Sequence, residues 1–201
     1  MNYLAVDTSG KNLTVIICKN DKIHAFFDSE CGVNHSVNLM PEIERLAKKA
    51  NFDFKDADFF ACVVGAGSFT GIRIGVATVK AMCFAYNKPC LSVTSFDTIA
   101  YDEKGKSLAL IYAKHNGFYV CGYDNGKVVI EPSYLMRERV EELIKEYSPV
   151  SFEDIEGMSV KVVSVKDGLI KAIEKNAHKI SFDLETLTPL YVRKSQAEEG
   201  R

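Results

Sequence analysis

The chain has 201 residues, 47% of them apolar and 26% charged, enough to bury a sizeable core and far from the composition of a disordered chain. A net charge of −2 excludes a surface given over to gripping phosphate backbones, which needs clustered Lys and Arg. The first residues lack a basic stretch followed by a long apolar run, and no segment approaches a membrane span, so a cytoplasmic protein is expected.

In chain order, Tyr3–Val6 is a short β-rich run that ends at Asp7-Thr-Ser-Gly10. Leu13–Cys18 and, after the Asn20-Asp21 turn, Ile23–Phe27 complete a three-stranded meander. From Ser36 to Ala50 the apolar positions Leu39, Ile43, Leu46, Ala47 and Ala50 recur at helical spacing, with Pro41 near the start, where a missing amide donor is tolerated. Ala61–Gly65 is a continuous apolar strand that runs into Gly65-Ala-Gly-Ser-Phe-Thr-Gly-Ile-Arg-Ile-Gly75 and a helix over Thr70–Tyr86. Leu91–Val93 predicts a strand, and Ser95–Tyr101 a short helix capped by Thr94 or Ser95.

The second half starts the same way, with strands at Leu108–Tyr112, Phe118–Tyr123 and Lys127–Ile130, then a helix at Tyr134–Tyr147, a strand at Val160–Val165 and a helix over Asp167–Ala177. A duplicated βββαβα unit with a truncated second copy is the outline of the two-lobed actin, sugar-kinase and Hsp70 superfamily, an α/β fold. The expected division is a lobe over 1–103 and a smaller one over 104–201, whose C-terminal tail packs back on the first.

Asp7, Thr8 and Ser9 stand where that superfamily presents a carboxylate and backbone amides to a nucleotide's phosphates or metal; a plain turn is the competing reading. A full nucleotide clamp needs a second glycine-rich loop between Tyr112 and Phe118, and Ala113-Lys-His-Asn-Gly117 offers one glycine and no carboxylate. The Gly65–Gly75 segment either launches a helix whose free amides hold a phosphate or makes a structural turn, and it fits neither GxGxxG nor GxxxxGK[ST]. Its helix carries Ile72, Val76, Val79 and Cys83 on one face, while Ile74, Ala77, Ala81 and Ala85 make the others apolar too, which means burial on more than one side, within the monomer or against a partner. The six cysteines form no CxxC pair and the four histidines no HxxxH or HExxH pair, so no metal site is expected. No Ser or Cys has a visible base partner, so no catalytic residue is assigned.

Asp7-Thr-Ser, His35-Ser36, Gly65, Gly67, Ser68, Phe69, Thr70, Gly71, Arg73 and Gly75 of the glycine segment, Ser92-Val-Thr-Ser95 and Pro189–Glu198 together resemble the TsaB (YeaZ) family, in order and over essentially the whole chain. Ala66 stands where family members usually have Pro. The resemblance implies a non-catalytic relative of the threonylcarbamoyltransferase TsaD. It pairs with TsaD and acts with TsaE and TsaC in making threonylcarbamoyladenosine at position 37 of tRNAs that read ANN codons. It also implies a homodimer when isolated, contact with tRNA only through the complex, no cofactor of its own, and ADP or ATP near the TsaD interface as an open alternative. The pairing surface implied is Leu39, Ile43 and Leu46 of the first helix with Ile72, Val76, Val79 and Cys83 of the second. A small ATP-dependent phosphotransferase and a metallopeptidase-like protein are the enzymatic alternatives.

Overall fold

The computed structural model describes residues 1–113 and 115–193. Strands β1 (Tyr3–Asp7), β2 (Leu13–Lys19) and β3 (Lys22–Asp28) form an antiparallel meander, followed by helix α1 (His35–Ala50). Strand β4 (Phe59–Val63) lies parallel to β1, and helix α2 (Phe69–Tyr86) leads to β5 (Cys90–Val93), parallel to β4. The sheet order is β3-β2-β1-β4-β5.

Side chains alternate across this sheet as the pleat requires. Leu4, Val6, Val15, Ile17, Phe60 and Cys62 pack with α1 and α2 on one face, and Tyr3, Ala5, Ile16, Phe59, Ala61 and Val63 fill the other. Both faces are covered, which explains why β4 reads as an unbroken apolar run. It begins at Phe59 and ends at Val63, two residues earlier than the pattern predicts.

After the short helix α3 (Ser95–Ile99), β6 (Lys106–Tyr112), β7 (Gly117–Asp124), β8 (Lys127–Met136), α4 (Arg137–Leu143), β9 (Ser148–Ser151) and β10 (Lys161–Val162) form a second sheet of order β10-β9-β6-β7-β8. The two orders match strand for strand, so the unit is duplicated. The second copy is truncated in element length: α4 has 7 residues where α1 has 16, and β10 has 2. Two details differ from the sequence pattern. β8 runs on to Met136, so the helix expected from Tyr134 starts only at Arg137. Strand β9 is new; its Pro149 masks it, and is tolerated because β10 pairs only with Val150 and Ser151.

Helix α5 (Val165–Asn176) then crosses back, and its Leu169, Ala172 and Ile173 cover the second face of the first sheet. Residues 177–193 continue along that lobe: Ser181 bridges Cys90, and Leu187 is fully buried with α1 and α2. The strands of the first sheet end at Val93 and those of the second begin at Lys106, while α5 and residues 177–193 pack against the first.

Candidate functional site

The turn after β1 is buried and closed by the glycine segment. Asp7, Thr8 and Ser9 are each at most 4% exposed. The backbone N–H and the hydroxyl of Ser9 both donate to Asp7 Oδ1, at 2.8 and 2.7 Å. Thr8 Oγ1 donates to the Gly71 carbonyl at 2.7 Å, and the Ser68 amide donates to the Ser9 carbonyl at 2.6 Å. Ser95 donates its hydroxyl to the Ala66 carbonyl at 2.6 Å and its amide to that of Gly65, also at 2.6 Å. A Cβ at Gly67 would collide with the Ser9 carbonyl, at Gly71 with the Thr8 carbonyl, and at Gly75 with Thr8 Oγ1. The glycines of this segment thus let its backbone lie directly on the first turn.

Asp7 Oδ1, Thr8 Oγ1 and the Ser9 hydroxyl are thus engaged within the turn and against the glycine segment and Ser95. Burial holds the Asp7 carboxyl above the usual carboxylate range, eased by the two Ser9 hydrogen bonds. His35, expected as a polar group ahead of the first helix, is its first residue and is buried. Its Nε2 lies 2.9 Å from the Asn12 carbonyl, which can only accept, so Nε2 carries the proton.

Between the sheets, Ala66, Phe96, Ile99, Ala109, Cys121 and Val150 form one apolar cluster with Ile111, Tyr119, Phe152 and Leu190 at its margin. A hollow of about 230 Å³ lies at the first turn, beside Gly10, Asn12, Ile111, Phe152 and Glu153, and one of about 320 Å³ lies beside Asp97, Tyr123, Val128, Lys175 and His178. Of the second hairpin loop, Lys114 lies outside the described residues; Arg137 Nε donates to Asn116 Oδ1 at 2.9 Å and so holds the rest. Among the described residues no group of three or more His, Cys, Asp or Glu could hold a metal. All six cysteines are buried and free, and burial pushes the Cys83 thiol up to about 12 and that of Cys121 to about 11. Such thiols do not ionise near neutral pH.

The seven side chains expected at a partner surface lie elsewhere than expected. Leu39, Ile43, Leu46, Ile72, Val76, Val79 and Cys83 all belong to the core between the first sheet and its two helices, Val76 being the most exposed at 6%. They are the inward stripes of α1 and α2, so the periodicity located the helices correctly and their outer faces not at all. The outer face of α2 is Thr70, Arg73, Ala77, Ala81, Phe84 and Ala85, with Ile74 half-buried beside it and Phe84 84% exposed. On the neighbouring α1, Val37 and Met40 are exposed, as is Val33 just before it. Only Arg73 and Lys80 are charged in the 18 residues of α2. The clue in the sequence was Phe84, a large apolar residue off the inward stripe.

At the start of α2 the Ser68 hydroxyl caps the Gly71 amide at 3.2 Å. Phe69 stacks on Tyr191 at 4.6 Å, the Arg73 guanidinium lies 3.8 Å from the Phe69 ring centre, and Arg73 Nε donates to the Tyr191 hydroxyl at 2.7 Å. The sequence motifs Gly65–Gly75 and Pro189–Glu198 thus meet in space; residues 194–198 of the second lie outside the described residues.

Among the described residues no helix is long and apolar enough to cross a membrane. The family model of TsaD, tRNA N6-adenosine threonylcarbamoyltransferase, matches residues 26–174. The TsaB protein of Bacillus subtilis, named for tRNA threonylcarbamoyladenosine biosynthesis, is 26% identical over 98% of this chain and 96% of its own length. The TsaB protein of Escherichia coli is 26% identical over 75% of this chain and 71% of its own. The solved structure of YeaZ from Pseudomonas aeruginosa shares the fold, with a TM-score of 0.73 at 19% identity over 94% of this chain and 99% of that one. An uncharacterized protein described as similar to that peptidase YeaZ superposes with a TM-score of 0.76 at 22% identity, covering 96% of this chain and 99% of the other. With the duplicated two-lobed topology and a family match across most of its length, the chain belongs to the TsaD family and stands within it among the TsaB proteins.

Proposed function

We propose that this protein is a non-catalytic partner subunit in tRNA threonylcarbamoyladenosine synthesis, which pairs with a TsaD-type transferase and supports it in working geometry. The observation that carries the reading is the exposed apolar face of α2, Ala77, Ala81 and Phe84 with the half-buried Ile74 beside them, together with the exposed Val37 and Met40 of α1. An apolar face of this kind on two adjacent helices fits a protein partner. Its small residues let another helix come close, and Phe84 supplies a large side chain of the kind that anchors interfaces. The first turn, filled by the protein's own backbone, and the apolar seam between the sheets favour a role without chemistry or nucleotide of its own, and disfavour a phosphotransferase. TsaE would join this pair, ADP or ATP would bind only where the partner completes a site, and tRNA would be reached through the assembly. In the absence of the transferase, the same face supports pairing between two copies of this chain.

The test is depletion of this protein in its host, followed by mass spectrometry of tRNA nucleosides. Loss of threonylcarbamoyladenosine, restored by the wild-type gene, is the expected result, and retention of the modification refutes the function.

A further inference from the structure

The first two turns of α2 are poor helix. Phe69-Thr-Gly-Ile-Arg-Ile-Gly75 contains two glycines, each costing about 1 kcal/mol against alanine, and β-branched residues at positions 70, 72 and 74. No acidic residue stands in its first turn to offset the helix dipole. Something outside the helix must hold this end.

The chain beyond α5 runs back beside α2 in the opposite direction, meeting it between Lys80 and Phe69. Glu185 lies 3.9 Å from Lys80 toward the far end. Leu187 is buried in the same core as Ile72 and Val76. The Leu190 amide donates to the Val64 carbonyl at 2.7 Å, and a Cβ at Gly65 would be caught between Leu190 O and Ile72 Cδ1, at 2.9 and 2.8 Å. Tyr191 then closes on the first turn through its stack with Phe69 and the hydrogen bond from Arg73. The glycine segment is thus held from two sides, by the Thr8-Ser9 turn and by residues 185–191.

We propose that Tyr191 is a positioning residue for α2: through Phe69 and Arg73 it fixes the start of the helix whose outer face docks the partner. This rests on the pairing role proposed above and adds an element distant in sequence that controls it. The stack and the guanidinium contact contribute because Phe69 and Arg73 are one turn apart, at i and i+4, so that one ring from outside engages both. Tyr191 is 41% exposed, so its removal perturbs the helix end without opening the core.

Hydrogen exchange on the isolated chain reads this directly. Tyr191→Ala is expected to speed exchange of amides 72–76 about tenfold while those of β4 are unchanged, and Tyr191→Phe, which keeps the ring and loses the acceptor for Arg73, is expected to fall between. In a binding titration, Tyr191→Ala is expected to weaken pairing with the TsaD-type subunit about tenfold. Unchanged exchange at 72–76 overturns the positioning role even if pairing weakens, since Tyr191 would then act as a direct contact. Faster exchange with wild-type affinity overturns its link to docking. If the wild-type chain fails to pair at all, the proposed function falls, while the exchange result still decides what Tyr191 does to α2.

Discussion

Asp7 is a carboxylate at the end of a core strand, buried against Ser9 and roofed by the glycine segment. Burial raises its pKa, so the folded chain holds this proton to higher pH than the unfolded chain does. Stability therefore falls as pH rises from the ordinary carboxylate range through the folded value. Asp7→Asn keeps an oxygen to accept from Ser9 and carries no charge. We expect it to raise the melting temperature at pH 7.5, with the difference from wild type vanishing as the pH drops to about 4. Thermal unfolding of both proteins across that range checks the sign. A variant less stable than wild type at neutral pH would mean that the ionised carboxylate has a favourable partner. Gly71 and Gly75 make the matching point from the other side, for their missing side chains are what lets the segment lie on Thr8.

At the scale of elements, α2 is a helix with an inward stripe in the core and an outer stripe that is apolar and exposed. Glutamate on the two stripes should behave oppositely. Val76→Glu buries a charge without a partner and is expected to cost several kcal/mol, enough to unfold the first lobe. Phe84→Glu is expected to change stability by no more than about 0.5 kcal/mol and to weaken pairing with the TsaD-type subunit by about 2 kcal/mol. Circular dichroism with size-exclusion of the mixed subunits separates these effects. A folded, fully pairing Phe84→Glu variant would place the docking surface elsewhere.

The same helix shows what was legible in the sequence. Apolar spacing gave α1 and α2 almost to the residue, because their inward stripes are long and continuous. It could not say whether Val76 or Ala77 meets a partner, since in a helix apolar nearly all round the pattern carries no direction. Strand β9 was hidden by Pro149, and the start of α4 by a strand that runs on through Tyr134 and Leu135, whose apolar residues suit either structure. The pairing of Tyr191 with Phe69 and Arg73 spans more than a hundred residues and leaves no local trace. Only the co-occurrence of two family motifs hinted that both ends mattered.

Over the whole molecule, the two sheets meet along an apolar seam. Phe96 and Ile99 of α3, Ala66 of the glycine segment and Ala109, Cys121 and Val150 of the second sheet pack into one apolar cluster there. Across it, Lys11 and Glu153 pair at 3.1 Å on the exposed rim, a contact worth at most about 1 kcal/mol, so the seam and not this ion pair holds the sheets together. The purified chain is accordingly expected to show no ATP turnover above buffer and no melting-temperature increase with ADP or ATP and magnesium. A nucleotide-dependent shift abolished by Asp7→Ala would show that the seam opens.

The return of α5 to the first sheet has a consequence for the order in which the protein can be made. β1, β2 and β4 leave the ribosome with one face, lined by Tyr3, Ala5, Ile16, Phe59, Ala61 and Val63, and nothing in the next hundred residues covers it fully. Its cover, Leu169, Ala172 and Ile173, is synthesised only after the entire second sheet. The first sheet therefore stays half-covered until the second has been made, and a nascent chain stalled before residue 165 presents that bare face to chaperones or to other chains.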